Sequence, residues 1–269
     1  MTTTIFTVIN GVLLRQLPFK DPDRLMILWE KSRQGDDYSV AYQNYLDWQA
    51  QNSAFESMAA SRLDRLNMVV SGQTESVRVR MVSFNYLSTL GVPLFLGRDF
   101  RSDEDRPGAP PVAILSFNCW KTRFREDSKI LGRNIQVNDR PVTVIGVLPE
   151  YFHFLTEVDL FLPLGSYSDQ WPKRNMHTGI YVFARLKADL TIQKAQADMN
   201  QIAARLEKEY PETNAGNGVH MEMLMQNITG EVRSTLWLLF GSVIFVLLIG
   251  CANVANMMLA RGFSRQKEI

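Results

Sequence analysis

Apolar positions in this chain fall into two regimes. Through residues 19–233 they come in short periodic runs, whereas residues 235–259 carry no charge at all. In the periodic part, residues 23–30 predict a strand after the turn-forming Lys20-Asp21-Pro22. From 40 to 60, Tyr42, Tyr45, Trp48, Asn52, Phe55 and Ala59 recur at helical spacing and predict an amphipathic helix of about five turns. Two strands follow. In the second, Val77, Val79 and Met81 alternate with Arg78 and Arg80, which predicts one buried and one solvated face. Residues 85–90 predict a short helix ended by Gly91 and Pro93.

Residues 93–170 hold most of the prolines, a polar loop at 102–111, and a hairpin in which 134–137 and 142–148 flank Asn138-Asp139. This texture predicts a β-rich subdomain inserted into the first one. A strand at 181–187 resumes the outer layer. Thr191 is placed as the N-cap of a helix with Ile192, Ala195, Met199, Ile202 and Leu206 on one face, stopped by Pro211. A last strand is predicted at 219–226. The order implies an α+β fold of split βαβ character, with helices on one face of a sheet. Periodicity leaves the strand pairing open.

The charge-free run predicts a transmembrane helix at 234–260, since a span needs about 20 mostly apolar residues. Trp237 suits the headgroup level. Arg261, Arg265 and Lys267 follow the run, offset only by Glu268, while Glu231 and Arg233 cancel on the other flank. The positive-inside rule then puts the C-terminus in the cytoplasm and the body outside. Residues 5–14 are also largely apolar but cover only about 15 Å as helix, too short to cross. With no basic n-region in MTTT to make a signal peptide, 1–18 is taken as the outer part of a first span, and the chain as a piece of a longer protein.

Composition adjusts this picture. Mean hydropathy of −0.12 is an average over a soluble body and a membrane segment. A net charge of +1 in 269 residues excludes a dedicated nucleic-acid binder. No phosphate-binding P-loop, dinucleotide fingerprint, zinc-protease motif or nucleophile elbow is present, so no catalytic residue, cofactor or metal is assigned. His153, His177 and His220 lack ligand spacing and are expected as surface or satisfied core groups. The acidic stretch 99–105 lacks the glycine and distal glutamate of a calcium loop and is expected to be solvated. Cys119 is expected to be buried. Cys251 falls in the span, so the two cannot pair within one chain. Within the span, Asn253 and Asn256 lie three apart beside Gly250, Ala252, Ala255 and Ala260. Amides are costly against lipid, and small residues let helices approach, so Gly250, Asn253 and Asn256 are assigned to a helix–helix interface.

The run from Cys251 through Asn253, Asn256 and Arg261 to Arg265-Gln-Lys-Glu-Ile269 resembles the second span of FtsX/MacB-type ABC transporter permeases, and most nearly the acidobacterial duplicated orphan permeases. Leu13 to Leu25, Tyr45-Leu46-Asp47-Trp48, Gly97-Arg98-Asp99-Phe100, Gly108 to Ser116, Gly146-Val147-Leu148-Pro149 and Asp159-Leu160-Phe161-Leu162-Pro163 are similar to that family's periplasmic core. The resemblance implies a Porter-like layer with a Sabre-like insertion at 93–170, within a core at 19–233 flanked by transmembrane helices. It implies that Arg265, Glu268 and Ile269, in 261–269, open a cytoplasmic helix that meets an ATPase. The implied function is that of a permease subunit in the bacterial inner membrane, with export by mechanotransmission and no enzymatic activity of its own. Implied partners are a cytoplasmic ABC ATPase subunit, further permease helices or a second protomer, the lipid bilayer and a periplasmic component. The alternative is an anchored regulatory or scaffold module that activates envelope enzymes without transport.

Overall fold

A computed structural model describes residues 19–70, 72–152 and 156–265, with backbone alone at 229, 231–237, 239, 256 and 258–265. The described chain forms two units, divided between Met225 and Gln226.

In the first unit a single 3-10 turn, Pro22–Arg24, leads into β1 (Leu25–Lys31) and a two-residue strand β2 (Asp37–Tyr38). Next come α1 (Tyr42–Gln51), β3 (Phe55–Val70), β4 (Gln73–Val82) and α2 (Tyr86–Leu90). The middle of the chain holds β5 (Leu96–Gly97), β6 (Val112–Leu115), α3 (Phe117–Phe124), β7 (Asn134–Val137), β8 (Arg140–Val147) and β9 (Leu160–Pro163). Then β10 (Ile180–Leu186), α4 (Ile192–Glu209), α5 (Pro211–Asn214) and β11 (Gly218–Met223) complete the body, and α6 (Leu224–Arg265) follows directly.

The strands form one sheet in the order β11-β1-β10-β3-β4-β9-β6-β8-β5, with β2 on β1 and β7 bridging β3 and β8. Because β7 pairs with both, the ladder returns on itself: β3, β4, β9, β6, β8 and β7 form a ring. Closing a ladder in this way removes exposed strand edges. The open part, β11-β1-β10-β3, is antiparallel throughout. The hairpin expected around Asn138-Asp139 is β7–β8, and both turn residues take positive φ (45° and 61°), as a two-residue hairpin turn requires.

The predicted helix over 40–60 is shortened. It stops at Gln51, and Phe55 and Ala59 belong to β3. Asn52 ends it: its Nδ2 donates to the Trp48 and Gln49 carbonyls, and its Oδ1 accepts from Phe55 N. The Asp198 carboxylate from α4 then takes the amides of Ser53 and Ala54, holding the chain extended. A spacing of four also places residues on one side of a strand, so the pattern alone did not separate the two structures. In β4 Val77, Val79 and Met81 are buried as expected, but Arg80 is only 2% exposed and donates to Ser61 Oγ, so the second face is not wholly solvated.

Helices also lie on both sides of the sheet, not on one. Val182 and Ala184 of β10 join the cluster that includes Ala195, Met199, Ile202 and Leu206 of α4. The intervening Phe183 packs against Tyr86 of α2 at 5.8 Å, and Arg185 bonds the Thr89 carbonyl, so α2 covers the opposite face. The predicted cap is present: Thr191 Oγ1 accepts from Lys194 N at 3.4 Å.

The 99–105 stretch is not a free solvated loop. Glu104 is 8% exposed and held by the Arg98 guanidinium, which pulls its carboxyl below the usual range. Asp105 accepts from Phe84 N and Gly165 N. Asp99 is half-buried, and burial pushes its carboxyl up to about 6. The folded chain therefore binds that proton more tightly than the unfolded one, so the group weakens the fold above pH 6 and ceases to as pH falls towards the unfolded value near 4. Asp99→Asn, which keeps the acceptor for Phe100 N, is expected to raise stability at pH 7.5 by ~1–2 kcal/mol after allowance for screening, and to change little at pH 4. Denaturant midpoints followed by tryptophan fluorescence check this; an equal effect at both pH values overturns it.

Candidate functional site

The first and last strands of the body are neighbours. β1 and β11 pair antiparallel from Met26↔Met223 to Lys31↔Gly218. The start of β1 and the end of β11 therefore lie side by side at one end of the sheet. Leu224, the first residue of α6, is fully buried.

The incoming segment is fastened tightly there. Asp21 takes a left-handed conformation (φ 43°) and its carbonyl accepts from Arg24 N, closing the turn that Pro22 starts. Phe19 is buried and its ring lies 6.3 Å from that of Phe152, which in turn lies 6.0 Å from Phe161. Arg185 reaches across from β10: Nε and Nη2 donate to the Thr89 carbonyl at 3.0 and 2.8 Å, and Nη1 to the Asp21 carbonyl at 3.3 Å. Arg24 returns the link, with Nε to the Leu186 carbonyl at 2.8 Å and Nη2 to Glu56 at 2.7 Å. At Gly91 a Cβ would sit 2.6 Å from Lys20 Cβ and φ is +76°, so only glycine ends α2 so close to the incoming chain.

Arg185 is 5% exposed, and burial lowers its pKa, with Arg24 adding to the same effect. Such a group is tolerated because backbone carbonyls take its donors. Sequence reasoning did not single it out. The available signal was an arginine between Ala184 and Leu186 in an otherwise apolar strand.

α6 begins with Leu224 and Met225 of the first unit, continues through the second, and runs for 42 residues, about 63 Å at 1.5 Å per residue. Phe245, Val246, Leu247, Leu248 and Ile249 are all exposed, and five consecutive residues at 100° each go right round the helix. Gly250 and Asn253 are exposed as well, and a Cβ at Gly250 would meet open space. Val246, Leu247, Gly250, Cys251, Val254 and Ala255 line a shallow, mostly apolar groove along this stretch. Taken over the described residues alone, no helix is long and apolar enough to cross a membrane. The Asn256 and Arg265 side chains, Glu268, Ile269, His153 and the expected first span at 1–18 lie outside the described residues.

Cys119, His177 and His220 are each engaged within the fold. Cys119 is buried, and burial pushes its thiol up to about 12. His220 Nδ1 lies 2.6 Å from Asp37 and its ring stacks on Trp29; His177 Nδ1 contacts the Ser39 carbonyl. Among the described residues no group of three or more His, Cys, Asp or Glu side chains is placed to hold a metal ion.

The body is thus an open sheet whose first and last strands adjoin, joined through β3 to a closed strand ring. The sequence matches the MacB-like periplasmic core domain over residues 1–202, and the chain belongs to that family. It is 27% identical over 202 residues to the macrolide export ATP-binding/permease protein MacB of Campylobacter jejuni subsp. jejuni (strain 81-176), covering 72% of this chain and 30% of that protein. It is 25% identical over 181 residues to the pyoverdine export ATP-binding/permease protein PvdT of Pseudomonas syringae pv. tomato, covering 62% and 26%. The chain thus spans less than a third of the length of these curated relatives. The periplasmic region of MacB from Actinobacillus actinomycetemcomitans superimposes with a TM-score of 0.57 at 14% identity, over 86% of this chain and 98% of that one. The extracellular domain of the ABC-type transporter YknZ from Gram-positive bacteria gives 0.54 at 14% identity, over 73% and 99%. At that identity the likeness is one of fold, a mixed α+β periplasmic core.

The Arg185 clamp has a measurable consequence. Arg185→Met takes both guanidinium donors from the Thr89 carbonyl, leaves the Asp21 carbonyl with Arg24 N alone, and is expected to cost ~1–3 kcal/mol. The check is a lower denaturation midpoint at unchanged denaturant sensitivity; an unaltered midpoint removes the clamp from the account.

Proposed function

We propose that this chain is the extracytoplasmic core and adjoining helix of the permease component of an ABC-type exporter. The observation that carries it is the pairing of Met26 with Met223. A domain whose two ends leave side by side is displaced as one body when the segments attached to those ends shift. The charge-free run at 235–259 and the fully exposed apolar circumference at Phe245–Ile249 support a membrane helix at 234–260. Arg261, Arg265 and Lys267 support a cytoplasmic C-terminal side and an extracytoplasmic body, in a bacterial inner membrane.

In this proposal 261–269 meets a cytoplasmic ATPase through Arg265, Glu268 and Ile269. Hydrolysis there moves the helices, and the motion reaches the body through the β1 and β11 ends. Gly250, Asn253 and Asn256 pack against further permease helices or a second protomer. The chain itself performs no catalysis and takes no cofactor; its part is to transmit motion. The names of its relatives, which export a macrolide or pyoverdine, support export as the outcome without fixing what is moved here.

Affinity capture of the full-length protein is expected to recover a nucleotide-binding subunit. Glu268→Lys is expected to lower complex-stimulated ATP hydrolysis about tenfold or more with the folding midpoint unchanged. Capture without any ATPase, together with full activity of the variant, rejects the coupling. Loss of export on deletion supports transport, whereas a cell-wall defect with export intact selects the regulatory alternative.

A further inference from the structure

We propose that a cleft between α3, the β3–β4 ladder and residues 149–152 and 156–159 binds a ligand bearing a carboxylate or phosphate group, held between Arg65 and Arg78. The cleft measures about 1010 Å³, at the upper end of ordinary ligand sites.

Its floor places two cations directly opposite each other. Arg65 of β3 and Arg78 of β4 are register partners, a position where like charges repel. Val77 and Val79 point into the core on the other side, so both arginines project from the face that lines the cleft. Among the described residues neither guanidinium has a hydrogen bond or an ion pair. The acids on the neighbouring backbone are engaged elsewhere. Asp159 Oδ1 and Glu75 Oε2 accept from Arg123 at 2.7 and 3.0 Å, and Asp159 Oδ2 accepts from Arg78 N. Lys121 of α3 adds a third cation on the adjoining wall, 4.0 Å from Glu126 with both side chains about half exposed.

A bridging anion relieves the Arg65–Arg78 repulsion, and the planar donor forks of arginine suit the paired oxygens of a carboxylate or phosphate. The rest of the lining says how such a ligand lies. Phe117, Phe152 and Phe161 supply apolar surface beside the arginines. Glu150 and Glu157 also line the cleft. The arginines take the anionic group, and the two carboxylates in the lining disfavour a second anionic group on the same ligand. This assignment is independent of how the chain is coupled to an ATPase.

The test uses the full chain in detergent micelles, with inorganic phosphate and benzoate as probes at ~1–10 mM, followed by thermal midpoint and by titration calorimetry. At least one probe is expected to bind and to raise the midpoint, less so as sodium chloride is added. A response to phosphate alone assigns a phosphate-bearing ligand, and a response to benzoate alone a carboxylate-bearing one. Arg65→Gln and Arg78→Gln, both at exposed positions, are expected to weaken binding about tenfold or more, with Arg78→Lys intermediate. Lys208→Gln, an exposed charge on α4, keeps the wild-type response. Midpoint shifts equal in all variants show general salt stabilisation instead and overturn the proposal, as does calorimetric silence with both probes.

Discussion

The pairing of β3 with β4 holds the body together. Ten register pairs run from Ser61↔Val82 to Val70↔Gln73, and β3, at 16 residues, is long enough to serve two structures at once. Its first half pairs with β10 and so belongs to the open sheet; its far end pairs with β7 and closes the ring. Side chains alternate along a strand, so a slip of one residue would turn Val77, Val79 and Met81 out of the core and bring their polar neighbours in. The parallel placement of β9 on β4, Val79↔Leu160 to Val82↔Pro163, depends on the same register, because β9 enters the order only through β4 and β6.

Around this ladder the buried charges specify position more than they add stability. Glu30 is 1% exposed; its Oε1 accepts from Ala41 N and Asn44 Nδ2 at the start of α1, where a carboxylate also meets the positive end of the helix dipole. Burial raises its pKa, and those two hydrogen bonds oppose the rise. Arg174 extends the group by bonding Asn44 and Asp47 and lying 3.6 Å over the Tyr210 ring, which joins α1 to the end of α4. Desolvation takes back much of what such contacts contribute, so their main effect is to admit one placement of α1 and exclude others.

Much of the fold could be read from the chain, because burial imposes period. The strand in β4, the hairpin at Asn138-Asp139, the cap at Thr191 and the apolar face of α4 all announce themselves that way. What escaped was set by contacts between distant residues. Asp198 ends the α1 region from 144 or more positions away, and Arg185 and Asp105 look like surface charges until their carbonyl and amide partners are known. The Arg65–Arg78 juxtaposition is of the same kind. Neither residue stands out alone, and only the register makes them opposite. The proposed membrane segment is the converse case: its signal is compositional and local, and it rests on the sequence.

The way the ring is attached bears on how motion would travel through the body. The chain leaves the open sheet after β4 and returns after β9, and Asp105 stands at both points, accepting from Phe84 N and Gly165 N. A Cβ at Gly165 would lie 2.2 Å from the Asp105 carbonyl, so the return strand passes as close as a glycine permits. Ser166 adds a bond to the Glu104 carbonyl, and Leu164 N bonds the Val82 carbonyl. With these ties beside the shared β3, the ring has no flexible stalk, and the residues from β1 to β11 fall within one compact unit. A displacement applied where Met26 meets Met223 would therefore reach the ring along the continuous ladder of β1, β10 and β3.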